Sequence, residues 1–188
     1  MTDQPRYRTI VADPPWEYRG GVSAGGTPGK PVNKYALPYE GMPLAEIVAL
    51  PVADLAADDA WLALWTTNRY LPAGFDVLRA WGFKYRQCLV WSKLGPSPFG
   101  GTFAPNGAEF LLVAARGNPV VKARWHQPSV ITTNRMGAGS HSRKPEVWLD
   151  LIEHCCHGPY LEMFARRNRL GWDTWGNEAL EHVTLGGS

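Results

Sequence analysis

The segment that most constrains the fold is a short apolar run that ends at an acid and two prolines. Tyr7 to Ala12 is rich in apolar and β-branched residues, which predicts a buried strand. Asp13, Pro14 and Pro15 follow it. Because proline lacks an N–H and keeps the preceding residue extended, the strand must stop here. The chain is therefore predicted to leave the carboxyl end of a core strand as a rigid segment, with the indole of Trp16 beside it.

Strands and helices alternate along the rest of the chain. Apolar runs predict strands over residues 61–65, 83–91, 109–115, 129–132 and 160–164. Amphipathic segments that begin near proline predict helices over residues 43–50, 72–81 and 145–156. This alternation predicts an α/β fold with a mostly parallel sheet covered on both faces. Ligands of such sheets bind at the carboxyl ends of strands, where Asp13, Lys93 and Arg166 are predicted to lie. The glycine- and proline-rich residues 20–38 predict a long loop of the kind that often has a function.

Composition narrows the class of protein. The 188 residues are 45% hydrophobic and 19% charged, which predicts one globular domain over residues 1–188. No apolar run reaches the roughly 18 residues of a membrane span, and Met1 to Arg8 has no signal-peptide core. Three cysteines, of which Cys155 and Cys156 are adjacent, make no disulfide framework. We therefore expect a cytoplasmic protein that does not act in a membrane.

The net charge of +2 conceals an uneven distribution. Between Val77 and Pro145, ten basic residues stand against one acid, Glu109. Such a one-sided segment favours a polyanionic partner such as nucleic acid. The alternative is that solvated loops happen to be rich in lysine and arginine.

The Asp-Pro-Pro-Trp segment has a specific chemical match. The Asp13 carboxylate and the Pro14 carbonyl are two acceptors in a fixed fork, which suits the two donors of an exocyclic amino group. The indole of Trp16 suits a flat ring, since stacking of a base on an aromatic side chain is worth roughly 1–3 kcal/mol. A plain Asp-Pro turn that ends a strand is the alternative.

With this segment and others in the same order, the sequence resembles the DPPW-type adenine N6-methyltransferases. That family includes the catalytic subunit of the eukaryotic mRNA adenosine methyltransferase and many short bacterial and phage enzymes. The matching segments are Tyr7–Trp16, Pro38-Tyr39 with Met42, Leu64–Thr67, Trp81–Phe83, Leu89–Lys93, Glu109, Ser142–Pro145, Leu161–Arg166 and Gly171–Glu178. Each segment is a weak signal alone, but the ordered set is specific.

The resemblance implies a circularly permuted Rossmann-like fold, with the catalytic motif first and the cofactor motif last. It implies methyl transfer from S-adenosylmethionine to the N6 amino group of adenine in DNA or RNA. Asp13, Pro14, Pro15 and Trp16 would form the catalytic segment, with Asp13 either accepting a proton or only orienting the amine. Trp16 and Tyr39 would contact the base or the methionine end of the cofactor; ordinary packing of these rings in the core is the alternative.

The resemblance also implies two sets of binding residues. On the substrate side, besides Tyr39, are Lys93 and Glu109, of which Glu109 would face the target base; a solvated acid at the start of a strand is the alternative. Lys144 would reach the methionine carboxylate, and further cofactor contacts would fall on the last strands. Those contacts are Glu162, Arg166 and Asn168 at the ribose, Phe164 beside them, and Asn177 and Glu178 at the adenine.

Two other functions stay open at this point. One is methyl transfer to a protein glutamine or a small amine, and the other is a catalytically silent nucleic-acid-binding subunit. A homodimer and a heterodimer are both compatible with the sequence. Two chance patterns are set aside: the G-x-S-x-G at Gly21–Gly25 lacks a flanking strand and helix, and Glu153–His157 has consecutive side chains that cannot close one metal site.

Overall fold

The computed structural model describes residues 6–17, 41–94, 103–133, 144–176 and 183, and their central element is a seven-stranded sheet. The strands are β1 (Tyr7–Ala12), β2 (Ala56–Thr67), β3 (Lys84–Lys93), β4 (Ala108–Arg116), β5 (Val130–Thr133), β6 (Tyr160–Met163) and β7 (Trp172–Trp175). The helices are α1 (Leu44–Ala49), α2 (Val52–Leu55), α3 (Leu71–Ala80) and α4 (Val147–Cys155), with a 3₁₀ turn at Asn68–Tyr70.

The strands of this sheet run mostly in one direction. Their order across the sheet is β5-β3-β4-β2-β1-β6-β7. β4 is antiparallel to β2 and β3, and the remaining neighbours pair in parallel. Within the described ranges, six strands therefore point one way and β4 the other. The predicted α/β fold with a mostly parallel sheet is confirmed, and the circular permutation stays a prediction.

Helices cover both faces of the sheet, as the alternation of elements predicts. Successive side chains of a strand point to opposite faces, so each strand contributes to two cores. On one face α1 and α3 pack over a core that includes Ile10, Leu62 and Leu112. On the other face α4 packs over a core that includes Trp65 and Leu111. Each fully buried side chain of this size stabilises the fold by about 1.5–3 kcal/mol.

Some boundaries differ from the prediction for physical reasons. β2 begins at Ala56, because Ala56 pairs with Tyr7 of β1, although the exposed Asp58 and Asp59 interrupt the apolar pattern and the register shifts before Trp61. α4 begins at Val147, because Pro145 and Glu146 form a turn ahead of it. β7, which has only four residues, was not predicted at all. The predicted loop over residues 20–38 lies outside the described residues.

The carboxyl edge of the sheet brings together residues that are far apart in sequence. Asp13 follows β1 and Lys93 ends β3, so both lie at this edge. Because β4 runs in the opposite direction, its first residues lie at the same edge, and Glu109 pairs with Thr67 at the end of β2 and with Trp91 near the end of β3. In the described ranges, no helix is both long and apolar enough to cross a membrane.

Candidate active site

Backbone hydrogen bonds fix the Asp-Pro-Pro-Trp segment at the end of β1. The Asp13 N–H donates to the Met163 carbonyl of β6 at 3.4 Å, and the Trp16 N–H donates to the Pro14 carbonyl at 2.9 Å. The Met42 N–H donates to the Pro15 carbonyl at 2.7 Å. All four residues therefore have a main-chain partner, which agrees with the rigid segment predicted from the two prolines. The Pro14 carbonyl keeps a second lone pair for another donor.

The structure places Trp16 in the core, which is the alternative to contact of its ring with a base or cofactor. The residue is only 4% exposed, and its indole N–H donates to the Trp65 carbonyl at 3.2 Å. One ring face stacks on Tyr70, with 5.3 Å between ring centres and 14° between planes. Burial of such a large aromatic ring is favourable in free energy, so the indole packs in the core and its N–H and one ring face already have partners. They support a packing role for Trp16 behind the segment.

Four charged side chains meet at the carboxyl edge of the sheet. The Lys144 ammonium lies 2.5 Å from Asp13 Oδ2 and 3.3 Å from Glu109 Oε2. Glu109 also pairs with Lys93 through its other carboxylate oxygen. The signs alternate from Lys93 to Glu109 to Lys144 to Asp13, so each charge has an opposite charge as neighbour. The side chains of Lys144 and Glu109 are only 14% and 15% exposed, so these pairs are weakly screened by solvent.

Two tryptophans lie under the ammonium groups of this cluster. The Lys144 Nζ lies 5.1 Å from the ring centre of Trp65, and the Lys93 Nζ lies 4.6 Å from that of Trp91. Attraction between a cation and a ring face adds about 0.5–2 kcal/mol to such a contact. Neither ring was predicted to lie in the site. Their place in the site could have been predicted from the sequence, because Trp65 and Trp91 are the last residues of two predicted strands. The carboxyl ends of these strands were expected to bind a ligand.

The cluster also sets the ionisation of its members. Burial lowers the pKa of a lysine, but the carboxylates of Asp13 and Glu109 outweigh it and raise the pKa of Lys144 well above its usual range. Burial acts to raise the pKa of Glu109, but Lys144 and Lys93 outweigh it, so that pKa is lowered. For Asp13, burial and the neighbouring Glu109 outweigh Lys144, and the pKa is raised. Asp13 is therefore the stronger proton acceptor of the two acids.

A cleft opens from this cluster toward the end of β6. Asp13, Lys144, Glu162 and Phe164 line it, with Arg166 beside them. The remaining lining residues are Val11, Trp65, Trp148, Leu149 and Arg167. The cleft therefore has a charged end at Asp13 and Lys144 and an apolar lining that includes Trp65 and Trp148. Glu162 is a second acid in the same cleft.

Glu162 is an unsatisfied acceptor in this cleft. Its Oε2 atom is buried and has no hydrogen-bond partner among the described residues. Burial raises the pKa of Glu162 to about 7, although Arg167 acts against the shift. A buried carboxylate oxygen without a donor costs free energy, and a bound ligand that supplies a donor to Oε2 would remove that cost.

The backbone after β6 is strained and closely packed. Phe164 has φ of 61°, which places a bulky residue in the left-handed region that side chains rarely adopt. Gly176 lies so close that a Cβ there would stand 2.5 Å from the backbone N and O of Ala165. The Ala165 N–H donates to the Trp175 carbonyl at 3.0 Å. These contacts hold Phe164 in the conformation that turns it into the cleft.

The predicted cofactor residues are only partly brought together. Glu162, Phe164, Arg166 and Lys144 line one cleft, as the resemblance implies. Asn168 is exposed and is not among the lining residues, because the chain there turns back toward β7. The remaining predicted site residues, Tyr39, Asn177 and Glu178, lie outside the described residues. Arg167, which the sequence analysis did not single out, is a lining residue and pairs with Glu146 at 2.5 Å.

The basic stretch does not form one surface at the site. Lys93 and Lys144 lie in the cluster, where Asp13 and Glu109 pair with them. Arg116 ends the antiparallel β4, which puts it at the opposite edge of the sheet, where it donates to the Ala53 carbonyl. Lys122 also lies away from the cleft, since its Nζ donates to the Glu153 carbonyl near the end of α4 at 3.1 Å. Arg116 and Lys122 therefore do not share one surface with Lys93 and Lys144, although all four belong to the basic stretch between Val77 and Pro145.

The metal interpretation set aside above has no counterpart in the structure described here. Among the described residues, no three His, Cys, Asp or Glu side chains are arranged to hold a metal ion. Glu153 instead accepts from Arg169 and Trp172, and Cys156 is buried.

The fold and the cleft together define a class of protein. A mostly parallel α/β sheet with a polar cleft at its carboxyl edge is the arrangement of Rossmann-like enzymes that bind a nucleotide-containing ligand.

Comparisons with known proteins identify the family. The sequence profile of the MT-A70 family matches residues 7–178. The chain is 31% identical to a type II methyltransferase, M.MunI, from Mycoplasma sp over 92% of this chain and 78% of that protein. It is 30% identical to the N(6)-adenosine-methyltransferase MT-A70-like protein of Drosophila melanogaster over 95% of this chain and 28% of that protein. With the human N(6)-adenosine-methyltransferase catalytic subunit METTL3 the identity is 26%, over 92% of this chain and 28% of that subunit.

The chain belongs to the MT-A70 family. It is therefore an enzyme of the S-adenosylmethionine-dependent methyltransferase class, and the suspected resemblance is confirmed. It spans 28% of the length of the Drosophila and human relatives and 78% of the length of the mycoplasma relative.

Proposed function

We propose that this protein transfers a methyl group from S-adenosylmethionine to the N6 amino group of adenine in nucleic acid, with Asp13 and the Pro14 carbonyl holding that amino group. The observation that carries the proposal is the position of Asp13, which lies in one cleft with Lys144 and with the unsatisfied Glu162. The family and its relatives, which are named as adenine and adenosine methyltransferases, support the reaction.

The residues of the cleft fit the proposed cofactor. The buried Glu162 Oε2 lacks a donor, and the hydroxyl groups of a ribose supply two. The ammonium of Lys144 suits the methionine carboxylate, and Phe164 offers an apolar surface to the cofactor. When bound, S-adenosylmethionine supplies a methyl group activated by a positively charged sulfur.

The Asp-Pro-Pro-Trp segment addresses a weakness of the acceptor. The lone pair of an adenine amino group is delocalised into the ring, so the nitrogen is a poor nucleophile. The Asp13 carboxylate has about four lone-pair sites and uses only part of them for Lys144, so it can also accept one amine N–H. The Pro14 carbonyl accepts the other. Two fixed acceptors then turn the nitrogen lone pair away from the ring, and positioning of this kind supplies much of the rate of a group transfer.

The charge cluster prepares Asp13 for this task. Burial of an unpaired carboxylate costs free energy, and Lys144 stabilises the Asp13 carboxylate while it leaves other acceptor positions of that group open. The amine gains a bond to carbon and must lose a proton, and the raised pKa of Asp13 makes this carboxylate a suitable acceptor. Glu109 and Lys93 lie on the side away from Glu162, which supports their assignment to the target base.

The substrate must present its base outside a stacked helix. The amino group of a paired adenine is engaged in the duplex, so the base must be flipped out, at a cost of a few kcal/mol. Single-stranded or distorted nucleic acid is therefore the better substrate.

We further propose a single methyltransferase domain over residues 1–188, which forms either a homodimer or a heterodimer. A cytoplasmic location stays a prediction.

The proposal is tested by incubating the purified protein with labelled S-adenosylmethionine and a panel of oligonucleotides. The panel holds single- and double-stranded DNA and RNA, each with and without adenine. The expected result is N6-methyladenine, identified by mass spectrometry, in at least one adenine-containing strand and none in its adenine-free match. Label in a protein fraction alone would favour the glutamine acceptor, and cofactor binding without any transfer would favour the silent subunit.

A further inference from the structure

The two walls of the cofactor cleft come from different parts of the chain. One wall is the segment 164–171 between β6 and β7, which contributes Phe164 and Arg166. The other is α4 with the residue ahead of it, which contributes Leu149 and Lys144. Any group that fastens the segment to the helix therefore sets the width of the cleft.

Arg169 is such a group. Its Nε lies 2.8 Å from Glu153 Oε1 and its Nη2 lies 2.9 Å from Glu153 Oε2, a two-pronged pairing with one carboxylate. The same Nη2 donates to Asp150 at 2.7 Å, and Nη1 donates to Glu146 at 3.1 Å. The three acids are four and three residues apart, so they share one face of the helix region. A planar guanidinium with five donors can engage all three at once, which an ammonium cannot.

This contact is tied to the neighbouring backbone. The Trp172 indole N–H donates to Glu153 Oε1 at 2.6 Å, and the Trp172 N–H donates to the Arg169 carbonyl at 3.1 Å. The Arg169 side chain is 20% exposed and that of Glu153 is 34% exposed, so solvent screens this pair less than the pairs with the more exposed Asp150 and Glu146. Arg169 therefore fixes the end of the segment 164–171 and the start of β7 to α4.

Arg169 also influences the charge of the cleft. Glu162 is faced by the acids Asp13 and Glu146 and by the cations Arg167 and Arg169. The acids favour a protonated Glu162, and the cations favour the carboxylate that would accept from a ribose. Loss of Arg169 would remove the cation that Glu146, Asp150 and Glu153 share and leave Arg167 as the partner of Glu146.

We propose that Arg169 is a positioning residue for the cofactor: it fastens the segment 164–171 to α4 and so sets the spacing and the charge of the S-adenosylmethionine cleft. This inference rests on the proposed function, because it concerns the same cleft. It assigns no contact between Arg169 and the cofactor.

The test compares Arg169→Ala and Arg169→Lys with the wild-type protein. Cofactor affinity is measured by isothermal titration calorimetry, and kcat and the KM values are measured with the adenine oligonucleotide that serves best. Arg169→Ala should weaken S-adenosylmethionine binding roughly 10- to 100-fold, the size of effect seen when a group that orients the residues of a binding site is removed. At saturating cofactor kcat should fall much less, and the KM for the oligonucleotide should stay unchanged. Arg169→Lys should restore part of the affinity, because it keeps the charge but not the fork.

The pH profile separates positioning from a purely structural role. In the wild type, cofactor affinity should rise as Glu162 ionises near pH 7. In Arg169→Ala the midpoint should move to higher pH, because a cation that favours the carboxylate is gone. Arg79→Ala is the matched control, since Arg79 forms an exposed pair with Asp76 on α3, and its affinity and pH profile should equal those of the wild type.

The outcomes distinguish this inference from the proposed function. A lowered melting temperature with unchanged cofactor affinity and an unchanged pH profile in Arg169→Ala and Arg169→Lys overturns the positioning role alone. A wild-type protein that does not bind S-adenosylmethionine overturns the proposed function and this inference with it. Wild-type cofactor binding without nucleic-acid methylation leaves the calorimetric test of Arg169 intact.

Discussion

The ammonium of Lys144 lies 2.5 Å from the carboxylate of Asp13, although 131 residues separate the two positions. The resemblance assigned Lys144 to the cofactor and Asp13 to the adenine, and the structure joins them directly. A cofactor carboxylate that attracts Lys144 would therefore compete with Asp13 for the same cation. This contact couples the two halves of the site.

Replacing Asp13 should separate catalysis from cofactor binding. Asp13→Asn keeps the size of the side chain but removes its charge and one acceptor. Since removal of one fixed polar group from an active site costs roughly 10²–10³ in rate, kcat should fall by that factor. Cofactor affinity should stay within about threefold of the wild type, because Lys144 keeps Glu109 as a partner. Single-turnover methylation and calorimetry measure the two effects.

The control for this variant is Asp76→Asn, which changes an exposed acid on α3 that is paired with Arg79. Its kcat should equal that of the wild type. A wild-type rate in Asp13→Asn would exclude the proposed role of this carboxylate.

Lys144→Met should destabilise the fold in a pH-dependent way. It leaves Asp13 and Glu109 as neighbouring acids without their shared cation, and breaking a buried pair of this kind costs about 3–5 kcal/mol. The raised pKa of Lys144 means that its pairing stabilises the fold below the usual lysine pKa and fades only as pH rises further. The lowered pKa of Glu109 means that its pairing is lost as pH falls into the acid range.

Urea unfolding of the wild type and Lys144→Met at pH 8 and pH 4 measures the difference. The difference in free energy of unfolding between the wild type and Lys144→Met should be larger at pH 8 than at pH 4. At pH 4 the acids can be protonated in the variant, and a neutral carboxyl group is not destabilised by loss of the cation. Arg6→Ala serves as control, because Arg6 forms an exposed pair with Asp58 and should show a gap of about 1 kcal/mol or less at either pH. Equal gaps for Lys144→Met at both values would contradict the buried pairing.

Glu162 should trade stability for cofactor binding. Its pKa of about 7 lies above the usual carboxyl value, so its contribution to stability is full at low pH and is lost as pH rises through 7. Glu162→Gln cannot ionise and should be more stable than the wild type at pH 8, by about 1–3 kcal/mol, with little difference at pH 4. The same variant should bind S-adenosylmethionine more weakly at pH 8, because a neutral amide is a poorer acceptor for ribose hydroxyls. If the stability difference between Glu162→Gln and the wild type is the same at pH 8 and pH 4, ionisation of Glu162 does not destabilise the fold and the prediction is wrong.

Gly176 should tolerate no side chain. In Gly176→Ala the new Cβ would lie 2.5 Å from the backbone of Ala165, so the strand end or the Phe164 turn must move. Such overpacking destabilises by roughly 1–3 kcal/mol, and displacement of Phe164 should also weaken cofactor binding. Thermal unfolding and calorimetry give both values. Gly107→Ala is the matched control, because a Cβ there meets nothing within 4 Å, and it should change stability by less than about 0.5 kcal/mol.

The sequence predicts the elements well and the contacts between them less well. Local patterns suffice for β1 and α3, because apolar residues and turn residues mark both. The reversed direction of β4 has no local signal, since a buried antiparallel strand has the same apolar pattern as a parallel one. That direction is what brings Glu109 to the carboxyl edge. β7 was missed because a four-residue strand after a turn gives too short a pattern.

The same distinction between local patterns and contacts between elements holds for the site residues. Asp13 was placed correctly at the end of β1, because its position depends only on the strand and the prolines. The partner of Asp13 depends on the packing of α4 against the sheet, and no spacing in the sequence encodes it. Charge counting along the chain does not place Arg116 either, since the two ends of β4 put Arg116 and Glu109 at opposite edges of the sheet.

Trp16 provides the sharpest test of a packing role against base stacking. Trp16→Phe keeps an aromatic ring against Tyr70 but leaves the Trp65 carbonyl without its donor, which should cost about 1–3 kcal/mol of stability. Trp16→Ala should cost about 3–5 kcal/mol, as expected for a large buried ring. If the indole only supports Asp13 and its neighbours, Trp16→Phe should lower kcat and leave the KM for the oligonucleotide unchanged. A large rise in that KM at constant kcat would instead show that the ring leaves the core and stacks on the target base, so the ratio of the two effects decides between the roles.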